Sequence, residues 1–410
     1  MPINEDTDKD TKCILPWISL ETTPLGKVRP CCLSTQEISG IDLTQDTLDD
    51  AFDSKTMRDL RRSFRRGEKP SSCERCWLEE DSGKKSKREY MLEKFSEDTG
   101  VEVDYSSNNG TKLQFLDLKL GNICNLKCRI CGSWSSSKWA QEQVAQHGKD
   151  HIGKDWLKQG QWPRKSNRFW ENVDSMLSDI RYFEFTGGEP FLIKQHFDLL
   201  QRAVDQGYAG NIDIHYNTNG TQYPKQHEVW KHFKQVQIAF SIDNVGNKFE
   251  YERDGAKWTA VNRNIKKFQE LKVQGYPLSF QICVTWNVQN IFYIDEFLTW
   301  AKTSGIDDVH FNLMHDPEEF ALSKIPTKML TPLVLRLQKA QTLHPKYANQ
   351  IISLKRIVMQ SRRTLKHLVE EKYRSGEALV KMLTDTDNFR GVKFSDTHPE
   401  VAKMVGYDQT

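Results

Sequence analysis

Three of the nine cysteines, Cys124, Cys128 and Cys131, lie close together immediately after an apolar run at residues 113–120. Three thiolates at this spacing on one loop can converge on a single inorganic centre. Structural zinc sites usually take four protein ligands, whereas this loop offers three. A [4Fe–4S] cluster held by three cysteines leaves one iron open to a further ligand. The triplet therefore favours an iron–sulfur cluster over zinc.

A second group of cysteines lies near the N-terminus, at Cys13, Cys31, Cys32, Cys73 and Cys76. The segment 13–32 is typical of a hairpin with its turn near Gly26, which would bring Cys13 back towards Cys31. Four thiolates at two paired positions can form a closed zinc site or bind a second cluster, and the spacing alone leaves both open. The ninth cysteine, Cys283, lies within a strand-like run, where we expect a core or barrel-lining position.

Overall charge gives no argument for binding to nucleic acid or to a membrane, because 58 Lys and Arg nearly balance 56 Asp and Glu. The first residues are polar and acidic, and no run of about 18 apolar residues follows them. We therefore expect a soluble, cytoplasmic protein. Clustered cysteines in that reducing compartment indicate metal ligation before disulfide formation.

Six β-rich runs alternate with segments of helical periodicity in the middle of the chain. The runs are 113–120, 180–186, 211–218, 236–243, 278–285 and 308–314. Helical periodicity is clear at 194–207 and at 290–305, where Gly305 is placed as a helix stop. Repeated strand–helix alternation predicts an α/β fold with a parallel sheet, here a partial (β/α)6 TIM-type barrel. The cysteine triplet then follows the first strand, at the carboxyl end of the barrel where such folds place their chemistry.

Three regions differ in composition. Residues 1–100 carry short strand-like pieces, and a charged stretch at 81–89 either links them to the barrel or extends a helix. Residues 112–316 form the predicted barrel, with an insert at about 145–179 whose tryptophans we expect to pack on its outside. Residues 317–410 are predicted to be a helical C-terminal extension with a polar, irregular end that is a lid or a packed helix.

Glycine-rich and polar motifs end the predicted strands that follow the first. TGGEP closes the second strand at 186–190, and its two glycines allow a ligand to approach the backbone. The next three strands end in NTNGT (217–221), FSIDN (240–244) and VTWN (284–287). Together with the C-x3-C-x2-C loop, these motifs resemble those of the radical S-adenosylmethionine (SAM) superfamily.

The resemblance implies a [4Fe–4S] cluster whose open iron is chelated by SAM. The implied site residues are Cys124, Cys128 and Cys131 for the cluster, Gly187, Gly188 and Glu189 for the SAM amino group, Asn219, Ser241 and Asp243 around the ribose and methionyl parts, and Arg253 for the SAM carboxylate. The implied reaction is reductive cleavage of SAM to methionine and a 5′-deoxyadenosyl radical, which abstracts a substrate hydrogen. The electron would come from a reductant such as flavodoxin or ferredoxin.

The N-terminal cysteines resemble an auxiliary iron–sulfur module called SPASM or, in its shorter form, twitch. The features that carry this resemblance are, in order, Gly26-x4-Cys31, Met57-x2-Leu60-Arg61 and Cys73-x2-Cys76. The resemblance implies one auxiliary [4Fe–4S] cluster on Cys13, Cys31, Cys73 and Cys76, with Cys32 as the spare. In the relatives this module follows the barrel, whereas here it precedes it.

The resemblance favours a peptide or protein substrate, with the auxiliary cluster relaying an electron or binding the substrate. One alternative is a radical SAM enzyme that acts on a small molecule or nucleotide. The other is a non-enzymatic, zinc-stabilised protein that binds nucleic acid through the basic helix at 55–68, whose arginines are Arg61, Arg62, Arg65 and Arg66. We expect no membrane partner.

Overall fold

The six strand-like runs form six parallel strands of one sheet in the computed structural model of the chain. The structure describes residues 11–81, 83, 85–97, 101, 103–110, 112–148, 150–306, 308–368 and 371–407. The strands are β1 (Ser19–Thr22), β2 (Val28–Arg29), β3 (Phe115–Lys119), β4 (Lys127–Cys128), β5 (Tyr182–Thr186), β6 (Asp213–Thr218), β7 (Gln235–Ser241), β8 (Arg253–Asp254), β9 (Leu278–Trp286) and β10 (Asp308–Leu313).

Eight of these strands share one sheet, in the order β10-β9-β7-β6-β5-β3-β1-β2. The six predicted strands, β3, β5, β6, β7, β9 and β10, are neighbours in chain order and are all parallel, as βαβ units require. The predicted N-terminal hairpin is present, with β1 antiparallel to β2 and Gly26 at φ 80° in the turn. Its first strand also pairs in parallel with β3, with Ser19 opposite Phe115. The hairpin therefore extends the barrel sheet, which the sequence did not predict.

The two faces of the central strands differ in exposure. On one face, Leu116, Phe183, Ile214, Ile238 and Ile282 are at most 1% exposed and belong to the main apolar core. The alternating positions on the other face are half-buried and mostly polar: Glu184, Thr186, His215, Asn217, Gln237, Gln281, Cys283 and Thr285. A parallel sheet covered by apolar layers on both sides would be apolar on both faces. The polar face therefore lines a water-accessible space inside the barrel, which we call the lumen.

Helices follow the predicted positions in the barrel and in the extension. They are α1 (Leu15–Ile18), α2 (Leu48–Phe52), α3 (Lys55–Arg65), α4 (Glu74–Asp81), α5 (Lys87–Glu97), α6 (Ser137–His147), α7 (Gly153–Gln159), α8 (Asn167–Ser175), α9 (Lys194–Asp205), α10 (Gly246–Glu252), α11 (Trp258–Val273), α12 (Ile294–Thr303), α13 (Thr327–Leu343), α14 (Ala348–Leu368), α15 (Glu371–Ser375), α16 (Glu377–Arg390), α17 (Phe394–Thr397) and α18 (Pro399–Val405). The end of the chain after α16 is not irregular, since α17 and α18 are helical and packed, which agrees with the packed-helix alternative. Within the described residues, no helix combines the length and apolarity needed to cross a bilayer.

Helix α5 closes the amino end of the lumen. It begins inside the charged stretch at 81–89, which therefore extends a helix instead of forming only a linker. Phe95 of α5 stacks on Phe115 at 5.9 Å between ring centroids and meets Tyr182 edge-on at 6.1 Å. Phe115 and Tyr182 are the first residues of β3 and β5, so the N-terminal region contacts the amino end of the barrel directly.

The basic helix α3 is anchored by one of its arginines. Arg61 is 0% exposed, and its guanidinium donates to the carbonyl oxygens of Pro16 at 2.8 Å and Phe52 at 2.9 Å. Burial lowers the pKa of Arg61 to about 10. Arg61 is thus a core residue, which corrects its inclusion in an arginine surface for nucleic acid.

Candidate functional site

The cysteine triplet lies on a loop between β3 and α6 that is fixed by several contacts. Within the loop, β4 pairs antiparallel with β8, so that Cys128 stands opposite Arg253. Ser136 caps α6 and its hydroxyl donates to the carbonyl oxygen of Leu126 at 2.6 Å. The Trp139 indole N–H donates to the carbonyl oxygen of Cys128 at 2.7 Å. The loop therefore has one defined conformation over the carboxyl end of the barrel.

The three thiols of this loop face one another. Cys124 is in electrostatic contact with both Cys128 and Cys131, and Cys131 with Cys128. The Leu126 N–H donates to Cys124 Sγ at 3.5 Å, and Arg253 Nη1 lies 3.8 Å from Cys128 Sγ. Burial raises the pKa of all three thiols, that of Cys131 to about 12. Because thiolates are the ligating form, a buried set like this fits a positively charged metal centre that would ionise it.

The TGGEP loop packs on the cysteine loop because two of its positions lack a side chain. A Cβ on Gly188 would lie 2.2 Å from the carbonyl oxygen of Ile123, and Gly187 adopts φ 102°. The Glu189 N–H donates to the same Ile123 oxygen at 2.8 Å. The predicted cluster residues and the predicted SAM residues therefore form one continuous site.

Glu189 is fully buried, and its carboxylate ties the TGGEP loop to the end of β6. Oε1 accepts from the Thr218 hydroxyl at 2.7 Å, and Oε2 accepts from the Asn219 N–H at 2.8 Å. Burial raises the pKa of Glu189 to about 7, although these hydrogen bonds oppose the shift. In this conformation Glu189 positions the loop, and its contact with the SAM amino group stays a prediction.

Asn219 reaches the cysteine loop from the end of β6. Its Nδ2 donates to Asn125 Oδ1 at 3.0 Å and lies 3.9 Å from Cys124 Sγ. Its Oδ1 accepts from the Thr221 hydroxyl at 2.6 Å. Asn219 is therefore beside the cysteines, while its place near the ribose and methionyl parts of SAM stays a prediction.

Arg253 and Asp243 form a buried ion pair, with 2.6 Å between Nη2 and Oδ2. Asp243 Oδ1 also accepts from the Thr285 N–H at 2.8 Å. Burial would lower the pKa of Arg253, but the Asp243 carboxylate and the Cys128 thiol raise it. Ser241 lies at the end of β7, half-buried and opposite Cys283. The structure thus brings Arg253 to the cluster loop, while its bond to the SAM carboxylate stays a prediction.

Four of the five N-terminal cysteines come together. The Cys13 thiol is in electrostatic contact with Cys73 and Cys76, and the Cys31 thiol with all three of these. Burial raises the pKa of each, that of Cys73 to about 11. In the described residues, no three Cys, His or carboxylate side chains converge tightly enough for one metal ion. A [4Fe–4S] cubane holds its thiolates farther apart than a single ion does.

Cys32 faces the lumen, although its charge also raises the pKa of the adjacent Cys31 thiol. Its Sγ lies 3.0 Å from Lys87 Nζ, and its charged neighbours are Lys87, Asp117 and Glu184. The side-chain directions of two adjacent residues therefore distinguish Cys31 from Cys32. The ligand set expected from the resemblance, with Cys31 and not Cys32, stays a prediction.

Residues 118–301 match the model of the radical SAM superfamily, and residues 13–77 match the model of the SPASM iron–sulfur cluster-binding domain. The chain therefore carries a radical SAM domain, and a SPASM module precedes it. The cofactors of these two domains are [4Fe–4S] clusters and SAM. The donor sets described above fit both clusters.

Individual relatives are distant. An uncharacterized protein, MJ0907, of Methanocaldococcus jannaschii is 24% identical over 227 residues, which cover 52% of this chain and 67% of that protein. GTP 3′,8-cyclase of Vibrio atlanticus is 24% identical over 208 residues, covering 50% of this chain and 56% of the cyclase.

Two solved structures were also compared with the chain. Native anSMEcpe with bound AdoMet gives a TM-score of 0.40 at 18% identity, over 58% of this chain and 62% of that one. Streptococcus suis SuiB bound to S-adenosylmethionine gives 0.38 at 15% identity, over 67% and 61%.

Sequence reasoning missed a buried ion pair that ties the cluster loop to the far end of the chain. Arg129, between the second and third cysteines, forms a buried ion pair with Asp387 of α16. The Tyr251 hydroxyl donates to the same carboxylate at 2.9 Å. No local pattern could have indicated a pair separated by 258 positions. The C-terminal extension is therefore packed against the site.

Proposed function

We propose that this radical SAM enzyme modifies a peptide or protein substrate held in the lumen. The observation that carries the proposal is the arrangement of the two cysteine sets. Cys124, Cys128 and Cys131 lie at the carboxyl end of the barrel. The auxiliary cysteines lie beside Cys32, whose thiol faces the lumen. A substrate in the lumen would therefore lie between the two clusters.

Each group of site residues has its own role in the proposed reaction. Cys124, Cys128 and Cys131 would hold the SAM-binding cluster, and Cys13, Cys31, Cys73 and Cys76 the auxiliary cluster. When bound, the first cluster and SAM together supply a 5′-deoxyadenosyl radical, which abstracts a hydrogen atom from the substrate. Gly187 and Gly188 let the TGGEP loop pack on the cysteine loop and would bring its backbone to the SAM amino group, and Arg253 supplies a buried positive charge beside Cys128.

A cavity at the edge of the sheet supports an extended substrate. Strand β10 ends the sheet, and a cavity of about 560 Å³ runs along it towards α14. The lining includes Val309, Phe311 and Leu313 of β10 and Asn349 and Ile357 of α14. Extended peptides bind at the edges of sheets through main-chain hydrogen bonds, and pockets for alternate side chains give specificity. A peptide could therefore enter along β10.

A nucleotide substrate is the second candidate. It is favoured by the sequence similarity to GTP 3′,8-cyclase, an enzyme whose name states a nucleotide substrate. The two candidates differ in the compound that should stimulate SAM cleavage, so they can be separated directly.

The first experiment is anaerobic reconstitution followed by iron and sulfide counting, on the wild type and on the variant with Ala at Cys124, Cys128 and Cys131. About eight irons should fall to about four in the variant, since each cluster holds four. Dithionite and SAM should then yield 5′-deoxyadenosine from the wild type alone. Faster formation with a random peptide pool than with a nucleoside triphosphate mixture supports a peptide substrate. The reverse preference favours the nucleotide, and a colourless zinc protein that leaves SAM intact contradicts the proposal.

A further inference from the structure

Five ionisable side chains meet in the lumen below the TGGEP loop, and the proposed chemistry does not use them. Glu21, Asp117 and Glu184 stand side by side at register-paired positions of β1, β3 and β5. We call these three the lumen carboxylates. Lys119 lies two residues further along β3, and Lys87 reaches in from α5.

Two lysines pair with the three lumen carboxylates. Lys87 Nζ lies 2.8 Å from Glu184 Oε2 and 3.8 Å from Asp117 Oδ2. Lys119 Nζ pairs with Glu21 Oε1 and lies 4.0 Å from Asp117 Oδ1. The formal charge of the five side chains is therefore negative by one. His215, opposite Glu184, does not correct the balance, because burial lowers its pKa and keeps it neutral.

Two oxygens of this group have no hydrogen-bond donor within the described part of the chain. They are Glu21 Oε2 and Asp117 Oδ2, on side chains that are 1% and 2% exposed. A buried acceptor without a donor is costly and rare in folded proteins. Two oxygens of the group thus lack hydrogen-bond donors. Burial raises the pKa of Asp117 to about 7, against the lowering effect of Lys119, so the group also lacks a positive charge above about that pH.

Glu21 and Asp117 are almost fully buried, and the group meets the lumen through the Lys87 and Lys119 side chains that cover it, which are 16% and 21% exposed. A substrate cation would therefore reach the carboxylates by displacing these lysines. Above them, the Cα of Lys119 would be 3.2 Å from a Cβ placed on Gly187. At their side, Lys87 contacts Cys32, the neighbour of Cys31. The group therefore lies between the two sets of cluster cysteines.

We propose that the lumen carboxylates are a substrate-recognition subsite for an ammonium or guanidinium group, supplied by a Lys or Arg side chain of the peptide. Such a group carries the missing charge and several N–H donors, which can bond to the free oxygens of Glu21 and Asp117. The inference rests on the proposed peptide substrate and adds the side chain that the lumen selects.

The test uses the fully reconstituted enzyme with SAM but no reductant, so that nothing turns over. The probe is a pool of random heptapeptides, N-acetylated, amidated and free of Cys, and the peptides retained by the enzyme are sequenced by mass spectrometry. We expect Lys and Arg to be enriched about tenfold or more over the neutral Gln and Met, because charged hydrogen bonds to buried acceptors discriminate at this level. Combining Glu21→Gln with Asp117→Asn should abolish the enrichment, and the exposed-helix control Asp59→Asn should retain it.

The possible failures are distinguishable. Retained peptides without Lys or Arg enrichment in the wild type overturn the subsite but leave the peptide function standing. Enrichment that persists in the double variant also overturns the subsite. If no peptide is retained, the peptide function itself is wrong and the subsite falls with it. Iron content is measured on every variant. If the double variant does not load its clusters, Asp117→Glu takes its place; because this variant keeps the negative charge, it should retain the enrichment. The wild-type preference for Lys and Arg then decides whether the subsite exists.

Discussion

Replacing Asp387 by Asn should destabilise the protein strongly, because this carboxylate joins the C-terminal extension to the cluster loop. Asp387 is 2% exposed and pairs with Arg129, which is 3% exposed. It also accepts from the Tyr251 hydroxyl at 2.9 Å and from the Phe394 N–H at 2.8 Å. Asn keeps the shape of the side chain but removes its charge.

The expected loss of unfolding free energy follows from the unpaired Arg129 charge that Asp387→Asn would leave in the core. With Asn at position 387, the Arg129 guanidinium remains buried without a counter-ion, and removing one partner of such a pair costs about 3–5 kcal/mol. Replacing Arg129 by Met as well removes the unpaired charge, so the double variant should recover part of that loss. The coupling between the two sites should therefore be about 1–3 kcal/mol.

Urea unfolding followed by circular dichroism measures these free energies. The matched control is Asp385→Asn on the same helix, since the Asp385 side chain is 57% exposed and pairs with the exposed Lys381 at 2.8 Å. Its loss should stay within about 0.5 kcal/mol. A cost for Asp387→Asn below about 1 kcal/mol, or an additive double variant, would refute the reasoning.

Three further predictions concern other parts of the structure. Gly188→Ala forces a Cβ to within 2.2 Å of a backbone oxygen, so it should cost about 1–3 kcal/mol in unfolding free energy and weaken SAM binding in equilibrium dialysis, whereas Gly210→Ala, which meets open space, should do neither. Burial raises the pKa of Glu252 to about 7, so the folded state binds this proton more tightly and wild-type stability should fall as pH rises from about 4.5 to about 7. Glu252→Gln should reduce that fall in unfolding free energy by about 1–3 kcal/mol, measured by urea unfolding at several pH values. If the unfolding free energies of wild type and variant fall equally across this pH range, the assignment to Glu252 is contradicted. Arg61→Met leaves buried carbonyl oxygens without a donor and should cost about 2–4 kcal/mol by thermal unfolding, while the exposed Arg62→Met should change little.

The sequence predicted most of the barrel because its evidence was local. Short β-rich runs marked the six strands, and helical periodicity marked α9 and α12. The charged residues of the lumen were visible in the same pattern, since Asp117 and Lys119 alternate with leucines in LDLKL. The signal was in the sequence, but the meaning of polar residues inside a barrel strand became clear only once both faces were assigned.

What the sequence by itself determined is the chemistry of the loops: three cysteines on one turn, two glycines after the next strand, and a hairpin that returns Cys13 towards Cys31. These features depend on spacings of a few residues, which fix local geometry. The tertiary structure alone decided that β1 joins β3, that Cys31 and not Cys32 faces the other N-terminal thiols, and that Asp387 holds Arg129. Periodicity reports which face of a segment is buried but not which distant segment covers it. These contacts arise from long-range packing and appear only when the chain is folded.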